Sequence, residues 1–356
     1  MNAPGNERQI ASAANWVTAD QLDRLKAKRW PAGTVIFPKV GAALRTEKRR
    51  LLCRPSAFDN NVMGAVPGPQ VSARYLFYAL QTVSLGALAQ AGPVPSVNQS
   101  LVGNVELWLP ARHEQERIVE VLDAVADAVA ARERQRACCV RALDNLRQHL
   151  LADVDAQSVK LEDVCLPVAT HDPRREPDEV IAYVDIGAVD RTSHRITYKM
   201  LRGGDAPSRA RQLVHPGDVL VSTVQPNLRG VARVPTDSPA GTPIASTGFC
   251  VLRAGDKVSN SYLMHCVLDR RFTAQLVKSM RGATFKAVRP KEVLTQEIAL
   301  PTRSEQDRIA GILDAATADL RTGTIAAVDE SISGLRHLHQ QLLAELVTGQ
   351  HRRPSR

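Results

Sequence analysis

Apolar residues recur in alternating steps of four and three at Ile118, Leu122, Val125, Val129, Cys139, Leu143, Leu146 and Leu150, with Arg132 and Arg136 standing on two intervening rungs. That is the 3.5-residue period of a helix that winds on a partner. Neither proline nor glycine occurs between Arg112 and Ala152, so one unbroken helix of about 60 Å is predicted from 1.5 Å per residue. A second ladder runs through Ile309, Leu313, Ala316, Leu320, Ile325, Val328, Ile332, Leu335 and Leu342. It skips between Leu320 and Ile325, where Gly323 sits, and a bulge or short break is expected there. Two ladders of matching length predict two antiparallel helices packed as a coiled coil; two independent surface helices are the alternative. In the antiparallel arrangement Arg132 and Arg136 would face Asp329 and Glu330; register slack or solvent exposure is the alternative for these two rungs.

Period-two and turn signals dominate elsewhere, which predicts a mixed α/β (α+β) chain. In the second half, strands are expected at Val180–Ile186, at Val219–Val224 after the turn His215-Pro216-Gly217-Asp218, and at Ala245–Leu252. Helical periodicity follows from Tyr262 to Met280, then a turn at 282–286 and a strand ending at Leu300-Pro301. The first half repeats this order faintly. Pro31–Val40 matches the Pro-Gly-Asp strand, Asn60–Val66 the Ser-Thr-Gly-Phe strand, Arg74–Tyr78 the start of the helix, and Gly92–Leu109 the segment Gly282–Leu300. With Gly33 set on Gly217, the first module falls short of the second by about 25 residues at its start. Either the chain starts late or that module is built differently.

The repeat becomes plain at the helix starts. Leu109-Pro-Ala-Arg-His-Glu-Gln-Glu-Arg-Ile-Val-Glu-Val-Leu-Asp123 returns as Leu300-Pro-Thr-Arg-Ser-Glu-Gln-Asp-Arg-Ile-Ala-Gly-Ile-Leu-Asp314, an offset of 191. Gln148–Asp153 returns as Gln340–Glu345 at an offset of 192. A period this long is a duplicated module, since solenoid units run to roughly 20–50 residues. The expected division is a first globular module at 1–110, a spacer helix at 111–155, a second module at 156–301, a second spacer helix at 302–350 and a basic tail at 351–356.

Charge follows that division. The formal net charge is +9. Residues 1–110 hold 12 lysines and arginines against 6 acids, and residues 156–301 hold 20 against 15, whereas both helical stretches carry more acid than base. Basic modules suit a polyanion and acidic helices suit protein. The six cysteines show no CxxC spacing and are expected to be reduced packing residues. The most apolar stretch, Tyr75–Ala91, is broken by Gln81, Thr82, Ser84, Gly86 and Gln90, so no membrane segment is expected, and the chain is placed in the cytoplasm. No phosphate-binding Gly-x-x-x-x-Gly-Lys loop, dinucleotide fingerprint or Asn/Asp-Pro-Pro-aromatic tetrapeptide occurs. His337 and His339 lie two apart on a helix, a poor metal spacing, and are expected to be solvated. No enzyme is predicted.

Polar and basic residues at turns are the candidate DNA contacts: Lys39, Arg45, Lys48, Arg49, Arg50, Asn60 and Asn61 in the first module, and Thr223, Gln225, Asn227, Arg229, Arg281, Thr284, Lys286 and Arg289 in the second. Arginine reads guanine and Asn or Gln reads adenine through paired hydrogen bonds, while Lys and Thr hold phosphates.

The Leu-Pro…Glu-Gln…Arg-Ile…Leu-Asp signature closing each module, the long helix behind it and the ending Leu342–Gln350 resemble the DNA specificity subunit of a type I restriction–modification system. The resemblance covers the chain from about Trp16 onward. It implies a non-catalytic phage-defence protein with two target-recognition domains, each reading one half of a split, asymmetric sequence in double-stranded DNA, held apart by the paired helices. It also implies two methyltransferase subunits that modify adenine with S-adenosylmethionine, and motor-nuclease subunits that use ATP and magnesium, with no cofactor in this chain. The shortened first module leaves a truncated, inactive cassette as an alternative, and a coiled-coil protein adaptor is the other.

Overall fold

The computed structural model describes residues 1, 3, 5–90, 92–237, 239–280 and 286–349. The chain divides into two compact units: Met1–Arg134 with the chain from Glu330 onward, and Gln135–Asp329. The line falls inside both long helices, whereas the sequence pattern sets the helices apart as segments of their own. The reason is that the first turns of each helix are buried in the module that precedes it.

Unit 1 contains strands β1 (Gln9–Ile10), β2 (Val35–Pro38), β3 (Arg50–Leu52) and β4 (Val62–Ala65), in the order β1-β3-β2-β4. Its helices are α1 (Ala19–Arg24), α2 (Ala73–Ala79), α3 (Leu85–Leu88), α4 (Gln99–Gly103) and the first part of α5 (Arg112–Ala152). One core joins Val35 and Phe37 of β2, Tyr75–Ala79 of α2, and Ile118, Val119 and Leu122 of α5, with Leu342 and Val347 closing it from the C-terminal helix.

Unit 2 carries three sheets among the described residues. Two short strands, β5 (Gln157–Lys160) and β6 (Cys165–Leu166), precede β7 (Val180–Val184), β8 (Lys199–Arg202), β9 (Ala210–Leu213), β10 (Val219–Ser222), β11 (Val231–Arg233), β12 (Thr242–Ser246), β13 (Phe249–Ala254) and, later, β14 (Glu297–Leu300). The sheet orders are β11-β10-β13-β6, β8-β7-β12-β9 and β14-β5. Strand β10 shows why two layers form. Alternate side chains leave opposite faces of a strand, so Leu220 enters the core shared with Val184 and Ala245 of the second sheet. Val219 and Val221 enter the core shared with helices α6 (Asn260–Leu268) and α7 (Arg270–Lys278). A short helix α8 (Pro290–Leu294) leads to β14, and α9 (Arg303–Asp319) follows.

Two expected elements are each two in the structure. Ala245–Leu252 is split between β12 and β13 at Thr247-Gly248; a Cβ at Gly248 would lie 2.5 Å from Ile186 Cδ1. Tyr262–Met280 is split at Asp269, whose carboxylate accepts the Arg271 N–H at 2.7 Å and caps α7. The second sheet, β8-β7-β12-β9, has no counterpart in unit 1 among the described residues.

The second ladder is helical throughout, with a π-helical turn at Leu320–Ile325 between α9 and α10 (Ala326–Thr348). A π turn takes one more residue than an α turn, which absorbs the step from offset 191 to 192. The two long helices run antiparallel: in unit 1 Arg336 donates to Glu133 at 2.6 Å, and in unit 2 Arg136 donates to Asp329 at 2.6 Å. All of the expected packing residues, from Ile118 to Leu342, are buried or half-buried. Ile118, Leu122, Ile309 and Leu313 belong to module cores as much as to a seam.

Candidate nucleic-acid interface

The repeated signature builds one joint twice. In unit 1 the Gln115 Oε1 accepts the Ser72 N–H at 2.8 Å, while its Nε2 donates to Gln70 O and Pro110 O, each at 2.9 Å. In unit 2 the Gln306 Oε1 accepts the Ser259 N–H at 2.9 Å, and its Nε2 donates to Lys257 O at 2.9 Å and Pro301 O at 3.0 Å. Both glutamines are almost fully buried. Ser72 and Ser259 cap the next helix by accepting the Tyr75 and Tyr262 N–H groups. The hydroxyls of those tyrosines donate to Trp108 O and Ala299 O, at 2.7 and 2.9 Å. Burial pushes the Tyr75 hydroxyl up to about 12 and raises that of Tyr262 as well.

The aspartate that ends each signature completes the joint. Asp123 accepts the Tyr78 hydroxyl at 2.7 Å and pairs with Arg74. Asp314 faces His265 Nε2 at 3.0 Å and accepts from the Ser261 hydroxyl. Burial pushes the Asp314 carboxyl up, but His265, Ser261 and the charge of Arg233 outweigh it and hold the group at about 2. The helical pattern marks this signature as a helix start and no more. The recurrence of a Gln and a terminal Asp at equal offsets is the sequence signal that could have pointed to the joint.

Each module also presents a loop of the same build. Val97 N donates to Lys39 O and Gly41 N to Pro95 O in unit 1, at 2.9 and 2.7 Å. In unit 2 Val288 N donates to Thr223 O and Gln225 N to Lys286 O, at 2.9 and 2.8 Å. The chain must turn sharply after each strand. Gly41 has φ +70°, and its counterpart Gln225 takes φ +48°, with Arg229 at +53°.

This pairing brings Gln225, Asn227 and Lys286 together at the surface, with Arg289 at the N-terminus of α8 exposed beside them in sequence. Asn227, Lys286 and Arg289 are exposed and Gln225 is half-buried. In unit 1 Lys39 N donates to Asn61 O at 2.9 Å, which sets the half-buried Lys39 next to the exposed Asn60-Asn61 turn. Arg45 is exposed and Lys48 half-buried on the same stretch. Arg281 and Thr284 lie outside the described residues.

Three expected contacts have structural work instead, and a fourth, Arg50, is engaged through one nitrogen only. Thr223 is buried and its hydroxyl donates to Gly248 O at 2.8 Å. Arg49 is buried, donating to Glu47 at 2.6 Å and to Val83 O. Arg50 donates to Arg49 O at 2.7 Å, and burial pulls its pKa down. Arg229 is the clearest correction: its two terminal nitrogens grip Asp144 of α5 at 2.8 and 2.9 Å, and Nη2 also donates to Leu268 O. A guanidinium spent on a buried carboxylate is not offered to a phosphate. His339, expected in solvent, is half-buried and lies against the Tyr78 ring at 5.9 Å between centroids.

No sequence pattern singles out Asp144. Its carboxylate also receives Arg147 at 2.7 Å and Arg270 at 2.9 Å, so three arginines from α5, the 226–229 turn and α7 converge on it. Burial raises its pKa, yet Arg229, Arg147 and Arg270 together hold it below the ordinary carboxylate value. Among the described residues no group of His, Cys, Asp and Glu is arranged to hold a metal ion, and no helix is long and apolar enough to cross a membrane.

Comparison with solved structures adds a fold relationship. A chain from a study of complex assembly and conformational transition of the type I R-M system is similar over 90% of this chain and 82% of its own length, at 21% identity and a TM-score of 0.53. The HsdS subunit from Thermoanaerobacter tengcongensis is 38% identical over 47% of this chain, with a TM-score of 0.43, and the match covers 43% of that subunit's length. The type I restriction-modification S subunit from M. genitalium is 13% identical over 90% of this chain and 84% of its own, with a TM-score of 0.41. No protein-family model and no curated protein matches the sequence.

Proposed function

We propose that this chain is the DNA sequence-recognition subunit of a type I restriction–modification complex, itself without catalytic chemistry. The observation that carries the reading is the duplicated joint, in which two basic modules are each locked by the same Gln, Ser, Tyr and Asp set to the start of a long helix. Two equivalent joints present two reading loops, and a bipartite target needs two readers. The modules differ in build, one sheet against three among the described residues, which suits two half-sites of different sequence. The fold shared with a type I R-M chain supports the same reading.

In this reading Gln225, Asn227, Lys286 and Arg289 contact one half-site, and Lys39, Arg45, Asn60 and Asn61 the other. Two methyltransferase subunits carrying S-adenosylmethionine dock on the acidic helices, and motor-nuclease subunits supply ATP- and magnesium-dependent cleavage. The test is to express the full chain with the methyltransferase subunits of its host and sequence the methylome of a recipient strain. A split, asymmetric adenine-methylated motif that disappears with this chain is expected. Filter binding of the assembled complex should lose affinity steeply with salt, as phosphate contacts release counterions. Assembly without any salt-sensitive DNA binding would leave a protein adaptor in its place.

A further inference from the structure

Unit 1 holds a cavity of about 460 Å³ where its module meets the two long helices. One wall is apolar, with Phe77, Ala126 and Val129; the other is of mixed charge, with Arg8, Arg49, Arg50, Arg336 and His339 beside Glu7, Glu47 and Glu133. Ten buried side-chain nitrogens and oxygens among the described residues have no hydrogen-bond partner, and four belong to that second wall: Arg8 Nη1, Arg49 Nε, Arg50 Nε and His339 Nε2. Three of these are guanidinium N–H groups, which are always charged and can only donate.

Arg49 shows the problem most sharply. It is 3% exposed, and Nη1 and Nη2 are satisfied by Glu47 and Val83 O, which leaves Nε. The neighbouring carboxylates are already engaged: Glu133 accepts from Arg336 at 2.6 Å, and Glu7 accepts the Gly5 N–H at 3.0 Å and interacts with the charge of Arg50. Glu47 accepts from the N–H groups of Leu85 and Gly86 and the Ser84 hydroxyl, each at 3.0 Å. Asp123 and Asp127 hold Arg8 from the side of α5, with Arg8 Nη1 3.6 Å from Asp123. A buried donor left unmade costs about 1–3 kcal/mol, so several around one cavity call for an acceptor. A water carries two acceptor lone pairs and no charge. An oxyanion presents three or more acceptor oxygens together with the charge that guanidinium groups favour.

We propose that this cavity binds a phosphate group, at a site separate from the reading loops. The phosphoryl oxygens would take the Arg8, Arg49 and Arg50 donors, with His339 as its Nε2–H tautomer. The apolar wall would hold whatever small organic group carries the phosphate. The source is either a free phosphate compound or a DNA phosphodiester.

Thermal unfolding of the full chain against inorganic phosphate, with chloride titrated to the same ionic strength, is the first measurement. Phosphate should raise Tm saturably by about 2–4 °C, the shift expected for a ligand contributing about one kilocalorie per mole to a unit of this size. Arg50→Gln should abolish that shift. Because Arg49→Gln removes structural bonds and threatens folding, Arg50→Gln and His339→Ala serve as the informative pair. A second arm measures binding of a mixed-sequence duplex against salt. If Arg50→Gln also lowers the salt slope by about one, the phosphate is DNA's; if the slope is unchanged while the phosphate shift is lost, the ligand is a free phosphate compound. No shift beyond chloride, or the same shift in Arg50→Gln, means an adventitious ion only and overturns the proposal. Neither result bears on whether the reading loops recognise DNA, which the methylome decides.

Discussion

Removing the carboxylate at Asp144 should cost unit 2 more than any other single charge deletion in it. The group is 7% exposed and anchors Arg147, itself 3% exposed, together with Arg229 and Arg270. Asp144→Ala leaves one fully buried and one largely buried guanidinium without an anion, and breaking a buried pair in this way costs about 3–5 kcal/mol. The Arg270 side chain is half exposed, so water screens its share and it adds little. For a unit of roughly this size each kilocalorie per mole moves Tm by about 2–4 °C. A drop of about 6–20 °C in the transition of unit 2 is therefore expected by scanning calorimetry, with the transition of unit 1 retained. Arg229→Ala should cost less, because Asp144 keeps two cations. Hydrogen exchange should show the loss concentrated in the 226–229 turn and α7. A shift of Asp144→Ala below about 2 °C would refute the reasoning, since it would mean that the buried arginines find solvent or another anion without cost.

The buried glutamines give a second test: Gln115→Ala or Gln306→Ala should destabilise its own unit by about 2–4 kcal/mol, since three hydrogen bonds are lost and a buried N–H is orphaned. Calorimetry of the two variants should show opposite units affected. His194, with Nδ1 2.9 Å from Val231 O, is pushed down to about 4, first by burial and then by Arg321. The unfolded chain then binds the extra proton first, so stability is full above pH 6.5, falls as pH drops from 6.5 to 4, and levels below that. His194→Asn, which tolerates the φ of +51°, should flatten urea unfolding across this window. Asp314, held at about 2 against a usual 3.8, contributes stability that is present above pH 3.8 and lost on going down to 2. Asp314→Asn should remove that acid-side dependence. At the loops proposed to read DNA, Lys286→Ala should weaken DNA binding uniformly across sequences without lowering Tm, whereas Arg229→Ala should lower Tm; the converse pattern would reverse their assignments.

The chain alone determined what depends on local period and on repetition. The 4–3 ladder without Pro or Gly marked out α5 at Arg112–Ala152, and the skipped rung at Gly323 marked the π turn, because helical periodicity is written in adjacent residues. The equal offsets of the two signatures marked two modules. Charge partition separated basic modules from acidic helices. What only the tertiary structure decided is which polar residue is already spent. Arg229 and Asp144 are 85 residues apart in sequence and no local pattern joins them, yet their pairing turns an apparent DNA contact into a structural clamp. The two terminal nitrogens of Arg49 are taken by Glu47 and Val83 O, and the Thr223 hydroxyl by Gly248 O, in the same way. A side chain's type states what it can bind; burial and long-range partners, which depend on the packing of distant segments, determine what it is still free to bind.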